Sequence, residues 1–243
     1  MITSKDNEKI KFLKTLKRDK NYLFLDSPKL IDEAFNAGFK IEFLIVNKEK
    51  YNSVKNYNCE VVEVCNKIFE NFTSTESSQG VVAVVKNKKN ELKTPTGNFL
   101  VLDGLQDPGN VGTLMRSAVG AGFTSVYLLE SVNTLNEKLV RSSMGAIFKL
   151  EIFECTREEF TSFAKENLKE IKIYSCDLTG ENVFNAKVSG KFGLILGNEG
   201  NGITNEIKKL ASKTISIPMK NNLESLNVAV AGSLIMFELT KSV

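Results

Sequence analysis

The chain has 243 residues, 42% hydrophobic and 25% charged, with a net charge of +3 and no histidine. This is the composition of an ordinary soluble globular protein, and no apolar run approaches the roughly 18 residues of a membrane span. Without imidazole, Ser-His-Asp and Cys-His catalysis and histidine-based metal sites are excluded, so any proton acceptor is a carboxylate, a lysine, water or the substrate itself.

The N-terminal stretch M-I-T-S-K-D-N-E-K has no apolar signal core, which makes the cytoplasm the expected location, with no membrane partner. Cys59, Cys65, Cys155 and Cys176 lack C-x-x-C spacing, and we read them as reduced small hydrophobes rather than metal ligands. The positive excess is local: residues 1–20 carry seven Lys/Arg against three Asp/Glu.

In chain order, residues 4–18 predict a helix, with Ile10, Leu13 and Leu16 on one face and Thr3 or Ser4 as its cap. Lys9, Lys11, Lys14, Lys17 and Arg18 on its other faces are either a solvated surface or a phosphate-contacting arm. Strands are expected at Tyr22–Leu25, Ile41–Val46, Glu60–Val64 and Val81–Val85, and helices at Pro28–Ala37 and Asn66–Phe72. A polar turn is expected at 73–80. Together they predict a small α/β unit. The polar, basic stretch at 86–97, closed by Pro95 and Gly97, reads as a linker. The expected division is therefore 1–88, a linker at 89–97, and a second domain at 98–243.

From residue 98 the pattern alternates strand and helix. Strands are predicted at Phe99–Leu102, Val126–Leu129, Leu150–Phe153, Ile171–Ser175, Leu194–Leu196 and Thr214–Ile217. Helices are predicted at 110–121, 137–144, 157–168, 204–210 and 225–240. Such alternation predicts a parallel sheet with helices on both faces, whose ligands settle outside the carboxyl ends of the strands.

Three segments there can carry chemistry. In D-G-L-Q-D-P-G-N-V-G-T-L-M-R-S-A (103–118), Asn110 is placed to cap a helix and Arg116 lies two turns into it. G-N-E-G-N-G (197–202) packs three glycines around the single carboxylate Glu199. It is neither G-x-G-x-x-G nor a Walker A loop. In I-P-M-K-N-N-L-E-S-L-N-V-A-V-A-G-S (217–233), Ser225 reads as a helix cap. The helix beyond it uses Ala229, Ala231, Gly232 and Ser233, small residues suited to a tight crossing or a dimer interface, while Leu226, Val230, Ile235 and Phe237 supply apolar contacts.

These segments, with the intervening R-S-S-M-G-A-I-F-K-L (141–150), resemble in order and spacing the motifs of the SpoU (TrmH-type) RNA 2′-O-ribose methyltransferases of the SPOUT superfamily. The N-terminal region is similar to that family's substrate-binding domain, a small α/β unit resembling a ribosomal-protein fold. Asp26-Ser27 stands there where the family usually has a glutamate-glycine pair, while S-S-Q-G-V-V-A-V-V (77–85) fits its pattern. The resemblance implies an α/β fold with a C-terminal trefoil knot, S-adenosylmethionine as cofactor, RNA as substrate and a homodimer with helix 225–240 near the interface. By position, Leu196, Gly197, Ile217 and Leu226 are implied as cofactor-binding residues, and Asn110, Arg116, Glu199, Ser225 and Asn227 as catalytic ones, with Arg116 serving the partner's site. Arg141 joins the basic residues of the first helix as an RNA contact. The reaction it implies is methylation of a ribose 2′-hydroxyl in large-subunit ribosomal RNA. Transfer RNA as substrate, methylation of a base, and a non-catalytic RNA-binding protein of the same fold remain as alternatives.

Overall fold

The computed structural model describes every residue except 52–54, 76–77, 222 and 242–243. Parts of the expected turn at 73–80 and of the third motif (Asn222) lie outside the described residues. The chain divides into two compact units, Met1–Lys88 and Lys89–Val243.

The first unit is a four-stranded sheet. Its strands are β1 (Tyr22–Leu25), β2 (Ile41–Val46), β3 (Glu60–Glu63) and β4 (Val81–Lys86), in the order β1-β4-β2-β3. Only β2 and β3 run parallel. β4 is buried from Val81 to Val85, as a continuous apolar run with both faces covered must be. Helix α1 (Glu8–Leu16) turns Ile10, Leu13 and Leu16 onto a cluster with Ile45, Val62, Phe69, Phe72, Val82 and Val84. Helices α2 (Pro28–Asn36) and α3 (Asn66–Phe69) complete the unit. The cap of α1 is Asn7, not Thr3 or Ser4: its side chain accepts from the Lys9 N–H at 2.9 Å, so the helix starts later than the apolar spacing suggests.

The second unit carries a six-stranded sheet in the order β10-β8-β9-β5-β6-β7, parallel throughout. The elements run β5 (Asn98–Asp103), α4 (Pro108–Gly120), β6 (Phe123–Leu129), α5 (Glu137–Ser142), β7 (Glu151–Cys155) and α6 (Arg157–Asn167). They continue with β8 (Lys172–Asn182), β9 (Phe192–Gly197), α7 (Asn205–Lys208), β10 (Lys213–Ser216) and α8 (Val228–Thr240). On one face Phe99, Val101, Tyr127, Phe153, Phe160, Ile195 and Ile207 form the core under α6 and α7. On the other, α4 crosses α8 closely. Gly232 lies where a Cβ would run into the Leu196 and Leu114 side chains, and the Ser117 and Ser233 hydroxyls meet at 2.6 Å. The small residues of α8 thus serve a tight crossing within the chain. Ile235 is buried, whereas Val230 and Phe237 are 54% and 49% exposed, the covered side of the Phe237 ring lying against Gly120 of α4.

Residues 90–97 are held to this unit. Asn90 Nδ2 donates to the Ile152 carbonyl at 2.9 Å, Tyr127 OH to that of Lys93 at 2.7 Å, and Lys191 Nζ to that of Pro95 at 2.8 Å. β8 runs seven residues beyond the predicted Ser175 because its middle leaves the ladder. Ser175 pairs with Thr214 and the next pair is Glu181 with Ile215, so residues 176–180 bulge toward the carboxyl end of the sheet.

Candidate active site

Parallel strands deliver their following loops to one edge, and here β9 delivers the glycine-rich loop. β9 pairs with β5 up to Gly197 opposite Asp103. Asn198 and Gly202 then exchange backbone hydrogen bonds (3.1 and 2.8 Å), closing a tight loop with Glu199 at its tip. The Asn198 side chain fills that loop. Its Oδ1 accepts from the Gly200 N–H at 2.9 Å and the Asn201 N–H at 3.3 Å, and its Nδ2 donates to the Gly104 carbonyl at 2.9 Å. A Cβ on Gly197 would overlap the Gly202–Ile203 backbone, so the closure requires glycine there.

Helix α4 brings Asn110 to the same place, though not as a cap. The residue before Pro108, Asp107, caps the helix, its Oδ1 accepting from the Asn110 N–H at 2.8 Å. This bond, helped by Lys138, holds the Asp107 carboxyl below the ordinary carboxylate range. The Asn110 side chain is thereby left for other partners: its Nδ2 donates to Glu199 Oε1 at 2.7 Å. Its Oδ1 accepts from Asn227 Nδ2 at 3.1 Å.

Asn227, rather than Ser225, caps α8, its Oδ1 accepting from the Ala229 and Val230 N–H groups at 2.9 and 3.3 Å. That cap fixes the whole chain of amides. A helix N-terminus offers only donors, so Asn227 must present its oxygen to the helix and its NH2 to Asn110. Asn110 must then turn its own oxygen to Asn227 and its NH2 to Glu199. Glu199 Oε2 carries no protein hydrogen bond among the described residues.

Beside this network opens a cavity of about 740 Å³, within the range of small-molecule sites. Leu196, Ile217, Met219 and Leu226 give it apolar walls, and Glu199, Glu224 and Asp177 supply carboxylates. Gly197, Ser225 and Asn227 line it as well. Apolar walls with carboxylates fit a nucleoside-sized ligand bearing positive charge. All four residues proposed for the cofactor line this cavity, as do three of the five proposed as catalytic. Asn110 touches two of those three. Ser225 is exposed on the cavity wall, outside α8.

Arg116 is not brought to this cluster within one chain. It is exposed, and it has no ion pair among the described residues. Six residues along α4 put it about 9 Å from Asn110 along the axis and about 120° around it. Among the basic residues of α1, Lys9 Nζ pairs with Glu60 at 2.6 Å and lies over the Phe43 ring at 4.4 Å, and Lys17 Nζ donates to the Asn71 carbonyl at 3.1 Å. Lys11, Lys14 and Arg18 make no ion pair among the described residues. Arg141 lies on α5 beside Glu137.

Sequence reasoning missed the contribution of the β8 bulge. Cys176, Asp177 and Leu178 line the cavity from it, with Lys208 of α7 paired to Asp177. That hydrogen bond holds the Asp177 carboxyl below the usual range. Burial, with the neighbouring Asp177, pushes the Cys176 thiol up to about 11, so the cysteine is protonated at neutral pH and is no nucleophile. The predicted strand ends at Ser175, one residue before this segment.

A doubly covered parallel sheet with a glycine-rich carboxylate loop beside a cavity at its carboxyl edge defines an α/β enzyme-like class. Residues 97–237 match the family model described as the SpoU rRNA methylase family, and residues 7–83 match that of an MRM3-like substrate binding domain. The chain belongs to the SpoU rRNA methylase family. It is 30% identical to the 23S rRNA (guanosine(2553)-2′-O)-methyltransferase RlmP of Bacillus subtilis, over 98% of both chains. A TrmH-family protein from Porphyromonas gingivalis is 27% identical and superposes with a TM-score of 0.85 over 98% of both chains. An rRNA methyltransferase from Sinorhizobium meliloti solved with AdoMet bound is 24% identical, with a TM-score of 0.84 over 98% of this chain and 96% of that one.

Proposed function

We propose that the protein transfers a methyl group from S-adenosylmethionine to a ribose 2′-hydroxyl of 23S ribosomal RNA. The observation that carries this reading is the Asn110–Glu199–Asn227 network at the edge of the cavity. Bound there, the cofactor supplies an electrophilic methyl on its sulfonium. Leu196, Gly197, Ile217 and Leu226 hold it, and the cavity carboxylates favour its positive charge. Glu199 fixes Asn110, while Ser225 and Asn227 position the ribose and its phosphate. Orientation of the bound reactants supplies several kcal/mol. Arg116 stabilises the developing alkoxide, a contribution of roughly 3–4 kcal/mol for one donor. A guanidinium does not deprotonate in proteins, so the proton passes to water or a substrate phosphate.

Because Arg116 lies away from its own chain's network, it serves the site of a second copy. The exposed Val230 and Phe237 on α8 give that copy an apolar contact. Light scattering that finds only monomer sinks this assignment. The Met1–Lys88 unit binds RNA, with Lys11, Lys14 and Arg18 supplying phosphate affinity helped by Lys9 and Lys17, and Arg141 is an RNA contact of the second unit. The backbone is threaded as the trefoil knot of its family, and the protein works in the cytoplasm. Among the described residues no helix is long and apolar enough to cross a membrane.

The deciding experiment supplies labelled S-adenosylmethionine with ribosomal and transfer RNA lacking the modification, then digests the product to nucleosides for mass analysis. A 2′-O-methylated nucleoside from 23S rRNA is expected, with the position corresponding to the relative's guanosine examined first. Methyl on a base, or on transfer RNA alone, overturns the reading.

A further inference from the structure

The carboxylate that ends β5, Asp103, is buried and hydrogen-bonded through both of its oxygens. Asp103 is 1% exposed. Its Oδ1 accepts from Arg157 Nε at 2.6 Å, and its Oδ2 accepts from the Thr204 N–H at 2.7 Å and the Thr204 hydroxyl at 2.9 Å. Arg157 also pairs with Glu130, whose backbone sits in the left-handed region at φ 45°. Gly104, at φ 74°, leaves room for the guanidinium, since a Cβ there would stand 2.8 Å from Arg157 Nη2.

This arrangement clamps both ends of the glutamate loop to one strand end. Asn198 binds the Gly104 carbonyl at 2.9 Å and Thr204 binds Asp103, so the segment between them is anchored on each side. Glu199 lies within that segment, and its reach to Asn110 depends on where the anchors put it. Three glycines in 197–202 leave little local stiffness of their own. Buried and triply hydrogen-bonded, Asp103 supplies the stiffness from outside the loop.

We propose that Asp103, acting through Thr204 and oriented by Arg157, is a positioning residue that sets Glu199 against Asn110 for methyl transfer. It touches no substrate. This inference rests on the proposed reading of Glu199 and Asn110 as groups of a methyltransferase site. Its signature is a loss of kcat without a loss of cofactor affinity, because Asp103, Thr204 and Arg157 are absent from the cavity wall.

The test uses the full-length protein, S-adenosylmethionine and 23S rRNA lacking the modification. Asp103→Asn is expected to lower kcat roughly 10- to 100-fold, the scale of a misplaced reacting group. Calorimetric affinity for S-adenosylmethionine should stay within about 2-fold, and in an Asn110→Ala background the same change should cost under about 2-fold more. Thr204→Val should reproduce part of the loss and Thr204→Ser should rescue it; this pair decides the matter if Asp103→Asn does not fold. Additive losses with Asn110→Ala, a parallel loss of cofactor affinity, or full activity in both Asp103→Asn and Thr204→Val overturn the positioning role. A wild-type protein that binds the cofactor yet transfers nothing overturns the underlying reading and this inference with it.

Discussion

Asn110→Asp separates a capping asparagine from a working one. Asp107, not Asn110, caps α4, so the substitution leaves the cap intact and adds negative charge near a helix N-terminus, where it is favourable by about 0.3–1 kcal/mol. What it removes is the donor to Glu199 at 2.7 Å. A hydrogen bond to a charged acceptor is worth about 1.5–3 kcal/mol. Two carboxylates about 3 Å apart also repel by roughly 1.4 kcal/mol in water-like surroundings, the fitting limit because Glu199 is exposed. If Glu199 swings away, only the lost bond counts and kcat falls about 10- to 150-fold; if it stays, the sum gives about 100- to 1000-fold, at 1.4 kcal/mol per decade. Since Glu199 can relax into solvent, the melting temperature should move by no more than about 2–4 °C. The assay is methyl transfer at saturating RNA, run beside thermal melting. Lowering the pH protonates the new carboxyl and gives Glu199 a donor again, so part of the loss should be recovered in acid and return as pH rises. Near-normal turnover at neutral pH would refute the network's role.

Arg116→Ala should lower kcat roughly 100- to 1000-fold while calorimetry still finds S-adenosylmethionine binding; near-normal turnover would remove it from the mechanism. Gly197→Ala should lower the melting temperature and cofactor affinity together, because the new methyl meets the Gly202–Ile203 backbone rather than a yielding side chain; unchanged melting would contradict the loop closure described. Asp107→Ala should cost about 1 kcal/mol at neutral pH. Because the folded carboxyl titrates below its ordinary value, chiefly through the Asn110 N–H, that contribution is complete above the ordinary carboxylate range and is lost as pH falls through the depressed value. Denaturant melts of wild type and variant should therefore converge in acid.

Much of this was legible in the chain itself. The apolar runs of β5, β6 and β9 marked the parallel strands, since a buried parallel strand has no polar face to confuse the reading, and the antiparallel β4 read as clearly because it too is apolar and buried from Val81 to Val85. Alternation with helices gave the parallel sheet. Helix starts were less legible: Ser225 and Asn110 have the chemistry of caps, but Asn227 and Asp107 won because each can reach the donors of the first turn. The Pro108 signal pointed to Asp107 all along. The Asp103–Thr204–Arg157 contacts span 101 and 54 residues, and no local pattern announces a pairing over such separations. The bulge at 176–180 was invisible for a related reason, since only the register against β10 reveals it.

The strand order β10-β8-β9-β5 has a consequence for how the chain reaches its working form. Asn110 meets Glu199 across 89 residues and Asn227 across 117. Neither contact gains anything until those long loops have closed, and topologies dominated by distant pairing fold slowly for that reason. On a ribosome, β5, α4 and β6 emerge before the partners of Asn110 and can pair among themselves first. The Asn110–Glu199–Asn227 cluster therefore assembles only after β9 and the start of α8 are in place, and a chain stopped short of α8 has no way to build it.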